Sequence, residues 1–169
     1  RPLAPHQAGH LGQDQLQGLL MWEADLNSRG ALLGNRVEVV AYDDASDPQR
    51  AAELYERMIT QEDVDFLIGP YSSDITLAAA AVAERHNVPM VAAGAAASEP
   101  WEKGYKNLFQ VDARAQDYFD LPIAFAHEQG LTRIALVYAG TEFPREVAAG
   151  VREEAARLGM QVVFDEEYP

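Results

Sequence analysis

A chain of 169 residues, 48% hydrophobic and 24% charged, has the composition of about one globular domain, which sets aside collagen-like and disordered classes. Lys and Arg number 13 against 27 Asp and Glu, and the net charge of −14 argues against nucleic acid and anionic membrane surfaces as partners. Cysteine is absent, which excludes a disulfide scaffold, a thiolate metal site and a cysteine nucleophile; no apolar run reaches the ~18 residues of a membrane span.

The chain opens at Arg1-Pro2 with neither Met nor a leader, so it is expected to be a processed product, its signal peptide removed, or part of a longer chain. From Gln13 to Arg29 the spacing of Leu16, Leu19, Leu20 and Ala24 predicts a helix, which Gly30 ends. Arg36 to Tyr42 reads as a strand on its valines. Asp47-Pro48 caps and opens a second helix, running to about Gln61. Val64 to Ile68 is a buried strand closed by Gly69-Pro70, and Ser72 or Ser73 starts a helix to about Arg85. Val88 to Ala93 is a strand, Ser98 to Lys103 a short helical turn, and Leu108 to Val111 a short strand.

Near Asp112 to Asp117 the pattern restarts across a thin seam. A helix from Ala115 to Glu128 contains Pro122, which either kinks it or marks its true first turn. Arg133 to Tyr138 is a strand, Pro144 to Leu158 a helix ended by Gly159, and Met160 to Phe164 a last strand. Strands alternating with helices predict an α/β fold of Rossmann-like parallel sheets with flanking helices.

Enzyme signatures are missing: there is no GxGxxG, P-loop, GxSxG or HExxH. His6 and His10 stand four apart, but Pro5 and Gly9 favour a loop over a metal-binding helix. His86 and His127 fall near predicted helix C-termini, where a partly charged imidazole is favourable. Asp43 and Asp44 follow a strand, where a carboxylate pair can serve a metal. No strand-end lysine accompanies them, and a role in the turn before Asp47 is favoured.

The segment Gly69-Pro70-Tyr71-Ser72-Ser73 is different. It leaves a buried strand and opens a helix at the sheet edge where open α/β folds bind ligands. Unpaired helix N–H groups and two hydroxyls suit a carboxylate or phosphate; capping alone is the competing use. Gly94-Ala95-Ala96-Ala97-Ser98 leaves the next strand at the same edge, with side chains small enough for a ligand to reach the backbone or for tight packing under a loop.

An ordered series runs through Gly12, Gly18, Asp25-Leu26-Asn27, Gly30 and Gly34, then Tyr42 to Pro48 and Ile68 to Ser73. It continues through Val88-Pro89, Gly94-Ala95, Lys103-Gly104-Tyr105 and Ile134 to Tyr138. With this spacing the chain resembles the branched-chain amino-acid binding proteins of ATP-binding-cassette importers, which are type I periplasmic binding proteins. The resemblance implies two Rossmann-like lobes with a ligand between them, present here in part. Residues 1–114 would be the first lobe without its first strand and C-terminal part, and residues 115–169 the beginning of the second.

Carried over position by position, the resemblance implies that Ser73, with Ser72 and Tyr71, meets the ligand carboxylate. Gly94, Ala95 and Ala96 would meet the amino-acid head group, Leu11 would form a pocket wall, and Phe143 would close over the ligand. Ala96 stands where the family often has Ser or Thr, and Phe143 where it often has Tyr. The acidic partner of the ligand ammonium would lie beyond Pro169. The implied role is non-catalytic: an exported, periplasmic protein that captures an amino acid or similar small carboxylate and hands it to a membrane permease, with no cofactor or metal. Two alternatives stand beside it: a sensory domain on the same fold, and a doubly wound enzyme using Asp43 and Asp44.

Overall fold

A computed structural model describes residues 9–169. Helix α1 (Gly9–Ser28) starts before Gln13. It turns Gly12, Gln15, Leu16 and Leu19, all half-buried, toward a cavity, whereas Leu20 and Ala24 of the predicted face are exposed. Asn27 near its end receives Val37 N–H (2.9 Å) and donates to the Val37 carbonyl (2.8 Å).

That side-chain pairing accompanies the main departure from the sequence reading. Residues 36–42 run without helix or strand structure, and belong to no sheet. They line a cavity of about 950 Å³ together with α1, the second helix and the first strand, and are tied to α1 by side-chain bonds with no strand pairing. The turn that follows uses its carboxylates as the capping reading expects. Asp43 accepts from Ala45 N and Asp44 from Ser46 N, both at 2.8 Å, and Asp47 accepts from Arg50 N at 2.9 Å to cap helix α2 (Pro48–Gln61).

Strand β1 (Leu67–Ile68), helix α3 (Ser73–His86), strand β2 (Met90–Ala92), the short helix α4 (Glu99–Glu102) and strand β3 (Leu108–Gln110) then follow. The strands pair in parallel in the order β1-β2-β3, with Leu67 beside Met90 and Met90 beside Leu108. Each is shorter than its apolar run. Ala79, Ala80 and Ala83 let α3 approach α2 closely, and Tyr55, Met58, Leu67 and Met90 complete the core. The buried Tyr55 hydroxyl donates to the Ile68 carbonyl at 2.5 Å, and burial pushes its pKa up.

A 3-10 turn (Ala115–Asp117) leads into helix α5 (Asp120–Glu128), so Pro122 sits in a first turn and no kink is needed. Strand β4 (Arg133–Ala139), helix α6 (Glu142–Arg157) and strand β5 (Gln161–Tyr168) form a second parallel sheet over Ile123, Val151, Ala155 and Met160. β5 runs four residues past Phe164 through an acidic stretch. Two arginines of α6 hold that stretch: Arg152 binds Asp165 (2.6 and 2.8 Å) and Arg145 binds Glu167 (2.9 and 2.7 Å).

The turn between the two sheets is pinned on both sides. Ala115 is fully buried and its N–H donates to the Ala96 carbonyl at 2.8 Å. On the other side α6 comes so close that a Cβ at Gly150 would stand 1.9 Å from the Gln116 carbonyl oxygen.

Candidate functional site

The start of α3 carries backbone strain. Ser72 has φ 99° and ψ 148°, a region that L side chains rarely adopt and that costs about 1–3 kcal/mol. The conformation is held by Ser72 N–H donating to the Gly94 carbonyl and by Thr76 N–H donating to the Ser72 carbonyl, each at 3.0 Å. No side chain caps the helix, so the capping use of Ser72 and Ser73 is not what the structure adopts. Ser73 is 2% exposed, and its Oγ accepts from Ala97 N at 3.2 Å. Among the described residues its hydroxyl donates to no acceptor.

Gly94 to Ala97 run beside this helix start. Gly94 allows a close approach: a Cβ there would meet Tyr71 Cδ2 at 3.2 Å, so the Tyr71 ring would have to shift slightly to admit one. Ala95, Ala96 and Ala97 are buried, Ala96 at 5% exposure. Their main chain is anchored, with Gln110 Nε2 donating to the Ala95 carbonyl at 3.1 Å and Ala115 N to the Ala96 carbonyl. Small side chains here therefore pack tightly and hold two loops in register at the same time.

Leu11 is 50% exposed on the first turns of α1. One turn later, Gln15 donates through Nε2 to the Gly69 carbonyl at 3.0 Å and lies 3.7 Å from the Gly94 Cβ position. Leu11 thus stands on the helix that meets both loops, and Gln15 is a contact the sequence reading missed. Phe143 packs edge-on against Tyr118, ring centroids 5.3 Å apart at 74°. Burial first, then Asp112 and the Tyr71 hydroxyl, raise the Tyr118 pKa. Tyr71, Tyr118 and Phe143 therefore bring an aromatic wall toward the Gly94 loop. Tyr118 was missed because it lies in the seam, where nothing periodic marks it.

The electrostatics at this junction are acidic. Glu142 has a raised pKa, from burial first and then from Glu99, Glu146 and Asp74. The Glu146 carboxylate receives Ser98 N–H at 2.8 Å and Ser98 Oγ–H at 2.7 Å.

Other sequence candidates fall elsewhere. His86 contacts Glu56 at 2.8 Å at the end of α3, and His127 lies in the last turn of α5. His6 and the His10 side chain lie outside the described residues. Among the described residues no group of three or more His, Asp or Glu could hold a metal, and no helix is long and apolar enough to cross a membrane. Asp43 and Asp44 engage the turn already described.

Residues 7–169 match a family described as periplasmic binding protein. The Leu/Ile/Val-binding protein homolog 7 of Brucella abortus is 25% identical over 94% of this chain and 42% of its own length. The Leu/Ile/Val-binding protein of Escherichia coli is 25% identical over 90% of this chain and 42% of its own. The chain thus spans about two fifths of the length of the curated relatives it matches. In fold it is similar to the branched-chain amino acid transporter substrate-binding protein LivJ of Streptococcus pneumoniae in complex with isoleucine, at TM-score 0.83 and 24% identity over 93% of this chain and 44% of that one. It is also similar to an R. palustris solute-binding protein in complex with benzoate, at TM-score 0.85 and 23% identity over 98% of this chain and 46% of that one.

Proposed function

Because the chain belongs to the periplasmic binding protein family, we propose that it captures an amino acid, branched-chain or a similar small carboxylate, for an ATP-binding-cassette importer. On this reading the protein is exported to the periplasm, performs no catalysis and delivers its ligand to a membrane permease. Residues 1–114 act as one lobe and 115–169 as the start of another, in keeping with their separate sheets and separate cores. The ligand lies between them.

The observation that carries the reading is the uncapped start of α3. Its first N–H groups have no side-chain acceptor, and the Ser73 hydroxyl keeps a free donor beside them. A carboxylate satisfies such donors and gains from the positive end of the helix dipole. Isoleucine and benzoate, the ligands named for two structural neighbours, share only that group as an anion. Tyr71, Ser72 and the Gly94-Ala95-Ala96 loop shape the head-group side. Leu11, Phe143 and Tyr118 supply apolar walls for the remainder of the ligand.

Calorimetric titration with L-leucine, L-isoleucine and benzoate tests the reading. Binding of at least one is expected, and Ser73→Ala weakens it by about 1.5–3 kcal/mol, the range for a hydrogen bond to a charged group. Unchanged affinity in Ser73→Ala would remove Ser73 from the site. Heat-silent mixing with all three would remove the proposed ligand class.

A further inference from the structure

Glu146 sits on α6 one turn beyond Phe143 and reaches back 48 residues to Ser98. Both carboxylate oxygens accept from Ser98 N at 2.8 Å, and Oε1 also accepts from Ser98 Oγ at 2.7 Å. Ser98 ends the loop in which Ala97 N–H binds Ser73 Oγ and the Ala96 carbonyl binds Ala115 N–H. Among the described residues, no other side-chain hydrogen bond or ion pair joins residues up to Gln110 with residues beyond Asp117.

The surroundings oppose this contact. Asp74 at the start of α3 and Glu99 at the start of α4 gather with Glu142 and Glu146 of α6, and their mutual repulsion helps to raise the Glu142 pKa. The cation nearest in sequence, Arg145, has its guanidinium on Glu167. Lys103 offsets Glu99 at 3.1 Å and Arg145 partly offsets Glu142, yet the cluster stays net acidic, and the Ser98 donors are the one hydrogen-bonded contact among the described residues that holds Glu146 to the facing loop.

We propose that Glu146 is a positioning residue, a latch that holds α6, and Phe143 with it, against the Ser73–Ser98 wall before any ligand binds. The inference rests on the two-lobe capture reading. It adds that closure is set by an internal charge-assisted bond as well as by the ligand. A closed state already populated raises apparent affinity, because the ligand no longer supplies the whole closing free energy.

The test compares the full chain with Glu146→Ala and Glu146→Gln by hydrogen–deuterium exchange without ligand. In Glu146→Ala, peptides covering 94–101 and 142–150 should both exchange roughly 10- to 100-fold faster, the factor that corresponds to losing hydrogen bonds to a charged group. Peptides from β1 and from β4 should keep their rates. Glu146→Gln, which keeps an acceptor oxygen but no charge, should fall between. Wild-type rates, or faster exchange at 94–101 alone, would overturn the latch and leave a local cap on Ser98. Should Glu146→Ala loosen the whole fold, Glu146→Gln decides: coupled acceleration of both segments supports the latch and wild-type rates overturn it. Titration with L-leucine and benzoate is a separate arm. Weaker binding in the variants supports the latch and equal affinity overturns it, whereas absence of binding by wild type counts against the capture reading and leaves the exchange result to judge the latch.

Discussion

Gly150→Ala sets two forces directly against each other. Glycine inside a helix costs about 1 kcal/mol relative to alanine, so propensity alone predicts stabilisation. Packing predicts the reverse. The added Cβ would lie 1.9 Å from the Gln116 carbonyl oxygen, 2.7 Å from its carbon and 2.8 Å from the Gln116 Cα. All three are backbone atoms, so no flexible side chain can yield. Restoring ordinary contact requires α6 or the 3-10 turn to move by about 1.5 Å, which places the cost near the upper end, about 3 kcal/mol, of the usual overpacking range. Ala115 on that turn is pinned to the Ala96 carbonyl, which hinders relief from that side. A net loss of about 2 kcal/mol is expected, and thermal unfolding followed by circular dichroism should show a melting temperature lower by about 4–8 °C. Gly18→Ala on α1 is the control, since nothing lies within 4 Å of its Cβ position. It should raise the melting temperature by about 1–4 °C on propensity alone. If Gly150→Ala were as stable as wild type or more so, the close approach of α6 to the turn would be refuted.

Two further substitutions probe the same region. Ser72→Gly removes strain of about 1–3 kcal/mol at φ 99°, set against roughly 0.5–1 kcal/mol of added unfolded-state entropy, so stability should rise in urea denaturation; a lower midpoint would contradict the strain. Glu142→Gln removes a carboxylate whose pKa is raised by burial and by neighbouring acids. A raised carboxyl pKa means the folded state binds the proton more tightly, so the charge lowers stability above the folded-state pKa and has no effect below the ordinary glutamate value of about 4.3. The variant should melt about 1–2 °C higher at pH 7 and match wild type near pH 3.5, taking about 0.5 kcal/mol for screened like-charge repulsion. Equal melting at both pH values would show that the acids do not oppose one another.

The alternation of strands and helices was legible because it rests on local chemistry. Asp47-Pro48 starts α2 through a side-chain acceptor and a fixed φ, and both act within a few residues. Gly69 to Ser73 and Gly94 to Ser98 could be placed at one sheet edge for the same reason: β1 and β2 are parallel neighbours, so the loops that leave them emerge together. What could not be read locally depends on partners far along the chain. Arg36 to Tyr42 has strand composition, yet strand structure needs a backbone neighbour, and none among the described residues pairs with this segment. Asp165 to Tyr168 lacks an apolar pattern, yet it pairs with β4 because arginines from α6 neutralise it.

The candidate site divides along the same line. Ser73 could be singled out because a hydroxyl at a helix start has few uses, and the structure removes one of them by leaving the helix uncapped. Gln15, Tyr118, Glu146 and Gly150 carry no motif. Their roles appear only when α1 meets Gly69, when the seam folds under Phe143, and when α6 lies against Gln116. Each makes a contact that spans at least 25 residues, so sequence spacing has no bearing on it. Gly94, in the loop whose small residues leave room for a ligand or for tight packing, admits the Tyr71 ring, and Gly150, which no sequence feature singles out, admits a carbonyl. Ala at 95, 96 and 97 and Phe at 143 offer no hydroxyl, and the Ser98 hydroxyl is engaged by Glu146. Under the proposed capture role, recognition of a carboxylate would fall on main-chain N–H groups and the Ser73 hydroxyl, and selectivity among carboxylates on the shape of the aromatic wall.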